Sequence, residues 1–176
     1  MATTNFFNDL DKGKLVEALF NNNFLAFIGI PFADVTNNQK YREDKIDTVS
    51  HGFTVDVKTY SKKGFVIIEE YTNANKEYGK ISLGWFDKSK ANIIAYVCPI
   101  TGEMIILRFD GKFKDWYINN KEKYQLKANK VSEKEGMRWQ SAFRELPLSD
   151  LSGFVSYYKL HSNNGYIIYP QIEITL

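Results

Sequence analysis

The fifteen residues from Lys45 to Thr59, KIDTVSHGFTVDVKT, decide the fold. Apolar residues alternate with polar ones on both sides of the turn formers at 50–52, which is typical of two antiparallel strands joined by a tight turn. We expect strands at 45–49 and 53–59, and a third strand at 65–71 after the polar turn that follows. The sequence therefore predicts a three-stranded β-meander.

The segment before the meander is expected to be helical. Apolar residues between positions 15 and 20 recur at helical spacing, and the three asparagines at 21–23 are expected to end the helix. This helix carries Glu17. The apolar run 24–30 suits a buried strand or a helix end equally well, and residues 34–44 have the composition of a polar loop.

The residues after the meander add both strands and helices. A hairpin is expected from 92–98 and 103–108, a polar helix at 112–126, and a closing hairpin from 157–160 and 166–175. Alternating helical and strand segments are typical of the α/β class. We expect a central mixed β-sheet with flanking helices.

Composition narrows the class of protein. The 176 residues carry 23 basic and 21 acidic side chains, with no repeat or linker, so we expect a single domain over 1–176 with a core at about 10–110 and C-terminal additions at 111–176. One cysteine excludes a disulfide framework. No signal peptide or membrane-spanning stretch is found in the sequence, so we expect a cytoplasmic protein without a membrane partner.

Three charged residues of the meander form the candidate site. Asp56 and Lys58 project from the same face of one strand, and the hairpin brings Asp47 close to Asp56. Two opposed carboxylates repel each other unless a cation lies between them. Carboxylate, carbonyl and water oxygens suit Mg²⁺ or Mn²⁺, and Lys58 could hold a water or stabilise charge on a phosphate. This pattern favours metal-assisted phosphodiester hydrolysis.

The same residues resemble a known family. A helical Glu followed by KIDTVSHGFTVDVKT is similar to the PD-(D/E)XK nuclease superfamily, particularly Holliday junction resolvases of archaeal and phage type. Their pattern of Glu, Asp and (Asp/Glu)-X-Lys matches Glu17, Asp47, and Asp56 with Lys58. The resemblance implies a restriction-endonuclease-like fold and a Mg²⁺-dependent DNA endonuclease. It implies metal binding by Glu17, Asp47, Asp56 and the Val57 carbonyl, with Lys58 at the attacking water.

The resemblance also implies partners and a role. Branched or duplex DNA would be the substrate, and a homodimer would supply two sites for two strand cuts. A phage-encoded recombination or repair nuclease acting in the host cytoplasm fits this pattern, and a restriction-type endonuclease or an inactive DNA-binding protein of the same fold stays open. No proline precedes Asp47, and either Glu69 or Glu70 could add a further acid.

The acid-X-Lys triplet alone is weak evidence, because chance predicts about two in a chain of this composition. Three are present, at 43–45, 56–58 and 110–112. Only the triplet at 56–58 is expected on a strand beside a second acid. The alternative is a solvent-facing ion pair, worth at most about 1 kcal/mol.

A second candidate surface is a basic rim that could face DNA. It combines lysines with three aromatic residues, and the interspersed acids make an ordinary solvated face equally consistent with the pattern. Its members are Lys58, Lys62, Lys63, Lys112, Lys114, Lys121, Lys123, Lys127, Lys130 and Lys134, with Tyr60, Trp116 and Tyr117.

Overall fold

The computed structural model describes residues 13–25, 29–134 and 136–159, with two short strands beyond them. The helices are α1 (residues 13–25, of which Leu19–Leu25 are π-helical), α2 (Gln39–Glu43), α3 (Trp85–Lys88) and α4 (Gly111–Asn120). The strands are β1 (Phe32–Asp34), β2 (Thr48–Ser50), β3 (Phe53–Thr59), β4 (Phe65–Asn73), β5 (Ser82–Leu83), β6 (Ile93–Val97), β7 (Glu103–Arg108), β8 (Lys127–Ala128), β9 (Ser132–Lys134), β10 (Met137–Trp139), β11 (Ala142–Pro147), β12 (Val155–Lys159), β13 (Ser162–Asn163) and β14 (Tyr166–Ile167).

A six-stranded mixed sheet carries the candidate site. Its strand order is β1-β2-β3-β6-β7-β12, and every neighbouring pair is antiparallel except β3 and β6, which run parallel. The predicted hairpins β2–β3 and β6–β7 are confirmed. The α/β class with a mixed sheet is also confirmed.

The predicted three-stranded meander is wrong in its third strand. β4 does not pair with β3 but joins a second sheet of order β5-β4-β11-β8. The edge of β3 is taken by β6, and after β3 the Tyr60 N–H donates to the Val97 carbonyl at 2.8 Å. Because β3 already has a neighbour on each side, β4 pairs elsewhere.

The helix α1 covers one face of β3. Val16, Phe20 and Leu25 pack in a core cluster with Val55 and Val57, the apolar residues of that face. The prediction that the helix ends at the asparagines is wrong, since π-helical structure continues to Leu25.

A buried polar contact explains why the asparagines do not end the helix. Asn21 is 3% exposed, and its side-chain oxygen accepts a hydrogen bond from the Thr48 hydroxyl at 2.7 Å. The long-range partner satisfies a side chain that would otherwise favour a helix stop. The run 24–30 includes the end of this helix at Leu25, and residues 26–28 lie outside the described part.

Two local predictions are corrected or confirmed by the helices. Residues 34–44 are not simply loop, because α2 lies there with the Asn38 side chain accepting from the Lys40 N–H at its start. The helix predicted at 112–126 is confirmed as α4, followed by a 3₁₀ turn at Lys121–Lys123.

The C-terminal part contributes strands to both sheets. β12 pairs with β7 and β11 pairs with β4. Of the closing hairpin predicted from 157–160 and 166–175, the structure describes a short β13–β14 pairing beside the predicted turn, and residue 160 lies outside the described part. Residues beyond 167 lie outside the described part.

The two sheets share one core. Its buried members include Ile68 of β4, Tyr96 of β6, Leu107 of β7 and Leu146 of β11. The single-turn helix α3 places Trp85 and Phe86 in the same core. Within the described residues, no helix has both the length and the apolar character needed to span a membrane.

Candidate active site

Asp47 and Asp56 are brought together by the register of the hairpin. Thr48 of β2 is the partner of Val55 of β3, so extending the pairing by one residue places Asp47 opposite Asp56. The Asp47 N–H donates to the Val55 carbonyl at 2.8 Å, which keeps the two backbones paired up to this point. The predicted neighbourhood of these acids is confirmed.

The side chain of Asp47 turns toward the next residues of β3. The Val57 N–H donates to Asp47 Oδ2 at 2.7 Å, so a carboxylate takes the place of the backbone partner that β2 no longer supplies. This contact fixes one oxygen of Asp47 beside β3.

Asp56 is a buried acid in contact with a lysine. It is 1% exposed, and the Lys58 ammonium forms an ion pair with Asp56 Oδ1. The Lys58 side chain is 26% exposed, and its nitrogen lies over the Trp85 ring, 5.7 Å from the centroid. The interpretation of this pair as a fully solvent-facing ion pair is therefore wrong for Asp56.

Glu17 projects from α1 toward the same acids. It is half-buried, and burial followed by the negative charges of Asp47 and Asp34 raises its pKa to about 7. The structure thus brings the four predicted residues into one electrostatic group.

Asp34 is an acid of this group that the sequence did not single out. It ends β1 opposite Thr48, one residue away from Asp47 on the paired strand. Its own oxygen Oδ1 accepts from the Thr36 backbone and hydroxyl. An acid closing a three-residue strand gives no distinct signal in the sequence.

The pKa of Asp56 is raised to about 6. Burial is the main cause, the Lys58 ammonium opposes it, and the negative charge of Asp47 adds to it. Ser89 favours the charged form slightly, although its hydroxyl also donates to the Lys45 carbonyl at 3.3 Å. For both Glu17 and Asp56, burial is the main cause of the raised pKa, and the negative charge of Asp47 adds to it.

The environment of one carboxylate oxygen of Asp56 indicates whether these residues could bind a cation. Asp56 Oδ2 is buried and has no hydrogen-bond partner, which is a costly state for a carboxylate oxygen. A divalent cation would satisfy this oxygen and reduce the repulsion between the acids, so the donor set fits a hard metal ion.

The acidic side chains of the candidate site do not point to one common position that such an ion could occupy. Among the described residues, no group of three or more His, Cys, Asp or Glu is close enough to hold a metal. Binding by Glu17, Asp47 and Asp56 together therefore requires side-chain movement. The Val57 carbonyl remains a predicted ligand.

Glu69 and Glu70 are separated by the pleat of β4. The pKa of Glu69 is raised by burial and lowered by the Lys58 ammonium, which places Glu69 on the side of the candidate site. Glu70 is buried on the other side, accepting from the Tyr117 hydroxyl at 2.7 Å and from Arg144 at 3.1 Å. Glu69 is thus the neighbour of the site, a choice that the sequence left open.

The other two acid-X-Lys triplets have structural roles. Asp110 caps α4 by accepting from the Phe113 N–H at 3.0 Å, and Glu43, the acid of the triplet at 43–45, accepts from the Gln39 side-chain amide at 3.0 Å within α2. The strand context distinguishes the triplet at 56–58 from both.

The predicted DNA-facing rim loses its aromatic residues. Tyr60 is 5% exposed and Tyr117 is 1% exposed, and both are core residues, so the prediction is wrong for them. Trp116 is partly buried against the core, stacked on Phe113 and tilted against Phe154. Packing against apolar neighbours favours burial of these rings, although lysines lie near them in the sequence.

Comparisons with known proteins give no assignment. No family model matches the chain, and neither the curated proteins nor the solved structures give a significant match.

Proposed function

We propose that this protein is a metal-dependent DNA endonuclease of the PD-(D/E)XK type. The observation that carries the proposal is the grouping of Asp47, Asp56 and Lys58 where β2 begins beside β3, together with the unpartnered Oδ2 of Asp56. The helix-borne Glu17 adds a third acid with a raised pKa. The mixed sheet with α1 on one face is compatible with a restriction-endonuclease-like fold, and we propose this fold together with the activity.

Each residue has a role that its position supports. Glu17, Asp47 and Asp56 would hold Mg²⁺, or Mn²⁺ in its place, with the Val57 carbonyl as a further ligand. The ion would neutralise phosphate charge and lower the pKa of a bound water. Lys58, anchored on Asp56 and partly exposed, would orient the attacking water or stabilise charge on the phosphate oxygens.

The hydrogen bond from Val57 supports the role of Asp47. It holds Oδ2 of Asp47 against β3 and leaves Oδ1 for a ligand. The apolar side of β3 against α1 supports the backbone rigidly, and rigid elements position catalytic groups better than loops.

The substrate class follows from the resemblance and is tested by cleavage. We propose branched DNA as the substrate of a junction-resolving or phage recombination and repair enzyme, acting in the cytoplasm. The test compares labelled four-way junctions with duplexes of the same arm sequences and with duplexes of random sequence, in Mg²⁺, Mn²⁺ or EDTA. Symmetric cuts near the branch point support a resolvase, whereas cuts at one short sequence in any duplex indicate a restriction-type enzyme.

A homodimer is part of this proposal, because paired cuts on two strands need two sites. Sedimentation with and without junction DNA measures it directly. A monomer in both conditions would rule out the dimer and leave single-strand nicking as the activity. DNA binding without metal-dependent cutting of any substrate would instead indicate an inactive protein of this fold.

A further inference from the structure

A groove of about 660 Å³ lies on the second sheet, apart from the candidate active site. One wall is the 3₁₀ turn Lys76–Tyr78 with the residues leading to β5, and the other is the β9–β10 hairpin. The side chains that line it include Asn73, Tyr78, Lys80, Met137, Arg138 and Trp139.

Planar groups are stacked in this groove. The Arg138 guanidinium lies over the Tyr78 ring, 4.6 Å from its centroid, and the Arg138 side chain is 52% exposed. Met137 beside it is 64% exposed, and Trp139 is partly exposed. Flat aromatic and guanidinium surfaces of this kind are suited to stacking on nucleotide bases.

The two walls are tied together by a buried side chain. Asn73 is 6% exposed; its oxygen accepts from the Gln140 N–H at 3.2 Å, and its amide donates to the Lys80 carbonyl at 3.2 Å. A second link joins the Ala74 N–H to the Gln140 carbonyl at 2.8 Å. The groove is therefore preformed, which reduces the entropic cost of binding.

The groove lining has more basic than acidic side chains. Its charged members are Lys80, Arg138 and Glu77, and Arg138 also pairs with Glu133 at 3.7 Å. Basic side chains interleaved with aromatic ones are typical of surfaces that bind a phosphate backbone.

The strand β4 connects the groove to the candidate active site. Glu69 lies on the side of Lys58, and Asn73 lines the groove four residues later on the same strand. At about 3.3 Å per residue this separation is about 13 Å, a distance spanned by a few nucleotides. The groove and the candidate site therefore lie a short distance apart along β4.

We propose that this groove binds an unpaired segment of a DNA strand, with bases stacked on Tyr78, Arg138 and Trp139 and phosphates near Lys80. This inference rests on the proposed function for its substrate class. Bases in a duplex are already stacked on each other, so the groove would select unpaired nucleotides next to the cut.

The test measures binding in EDTA, where cleavage does not contribute. Fluorescence anisotropy of a labelled oligothymidine is compared with that of a blunt-ended duplex of two strands for the wild type, Tyr78→Leu, Arg138→Ala and Lys40→Ala. Lys40 is an exposed residue of α2 outside the groove and the basic rim, so its substitution controls for the loss of one charge. Arg138→Ala provides a second variant at an exposed position, and circular dichroism confirms the fold of each.

We expect the two groove variants to bind oligothymidine about tenfold more weakly, since base stacking on an aromatic residue has an effect of this order. Lys40→Ala should bind like the wild type, and binding to the blunt-ended duplex should be unchanged in all variants. Groove variants that bind oligothymidine as tightly as the wild type, or a wild type that does not bind it, would overturn the inference.

The two proposals fail in different ways. If the protein cuts duplex DNA but the groove variants bind oligothymidine normally, the groove assignment is wrong and the nuclease proposal stands. If the groove variants lose oligothymidine binding but no DNA is cut, the groove assignment stands and the nuclease proposal is wrong.

Discussion

The carboxylate of Asp47 accepts a hydrogen bond from the Val57 N–H, with 2.7 Å between Oδ2 and N. This contact joins Asp47, the residue before β2, to the middle of β3 and holds it beside Asp56. It gives Asp47 two separable roles, since it satisfies a backbone donor and supplies negative charge to the site.

Substitutions of Asp47 separate these roles. Asp47→Asn keeps an acceptor for the Val57 N–H, so its free energy of unfolding should stay close to that of the wild type. Asp47→Ala leaves the donor without its partner and should lose about 1–2 kcal/mol. Both should reduce cleavage by at least about 100-fold because both remove the charge. Thermal denaturation and cleavage rates check this, and an active Asp47→Asn would contradict the metal-binding role.

The raised pKa of Asp56 predicts how stability depends on pH. Between its ordinary value of 3.8 and about 6, the folded protein retains a proton that the unfolded chain releases. The wild type should therefore lose stability as pH rises through this window. Asp56→Asn has no titrating carboxyl at this position and should gain roughly 3 kcal/mol relative to the wild type between pH 4 and pH 8.

Urea denaturation across that pH range measures the effect. Glu17→Gln should show the same sign, in a window extending to about pH 7. If the free energy of unfolding changed with pH in the same way for the wild type and both variants, the raised pKa values of Glu17 and Asp56 would be contradicted.

Divalent cations should stabilise the protein through the same acids. At a Mg²⁺ concentration tenfold above the dissociation constant, the gain is about 1.4 kcal/mol, or a rise of about 3–5 °C in melting temperature. Differential scanning fluorimetry with Mg²⁺, Mn²⁺ and EDTA should show this rise at pH 8 and a smaller one at pH 5, where Glu17 and Asp56 are protonated. An equal rise in Asp56→Asn would place the ion elsewhere.

Substitution of Glu69 should mainly affect the cleavage rate, whereas substitution of Glu70 should mainly affect stability. Glu69→Gln removes a charge near Lys58 and should change the cleavage rate with little loss of stability. Glu70→Gln breaks the buried pair with Arg144 and should destabilise the protein by about 3–5 kcal/mol. Melting temperatures and single-turnover rates distinguish them, and a strongly destabilised Glu69→Gln would contradict its placement beside the site.

Local sequence signals predicted the parts of the fold that depend on neighbouring residues. The turn at 50–52 and the alternation beside it determined the β2–β3 hairpin, and its register then placed Asp47 opposite Asp56. The partner of β3 on its other side could not be predicted, because β6 begins more than thirty residues after β3 ends and β4 has an equally good strand pattern.

Long-range contacts also explain the remaining differences. Asn21 stays helical because its side chain accepts a hydrogen bond from the Thr48 hydroxyl. Tyr117 can be buried because its hydroxyl donates a hydrogen bond to Glu70. The groove at Tyr78 and Arg138 joins segments about sixty residues apart, so no local pattern indicates it. Glu69 was separated from Glu70 only once the face of β4 was known.

Cleavage of DNA by Lys58 variants tests the central claim most directly. The wild type, Lys58→Met and Lys40→Met are incubated with end-labelled four-way junction and duplex DNA in Mg²⁺ or EDTA, and products are resolved on denaturing gels. Lys40 is an exposed lysine of α2 outside the candidate site and the basic rim, so its substitution controls for the loss of one charge. The account predicts Mg²⁺-dependent cutting by the wild type and Lys40→Met, and its loss in Lys58→Met; undiminished cutting by Lys58→Met, or no cutting by the wild type, would contradict it.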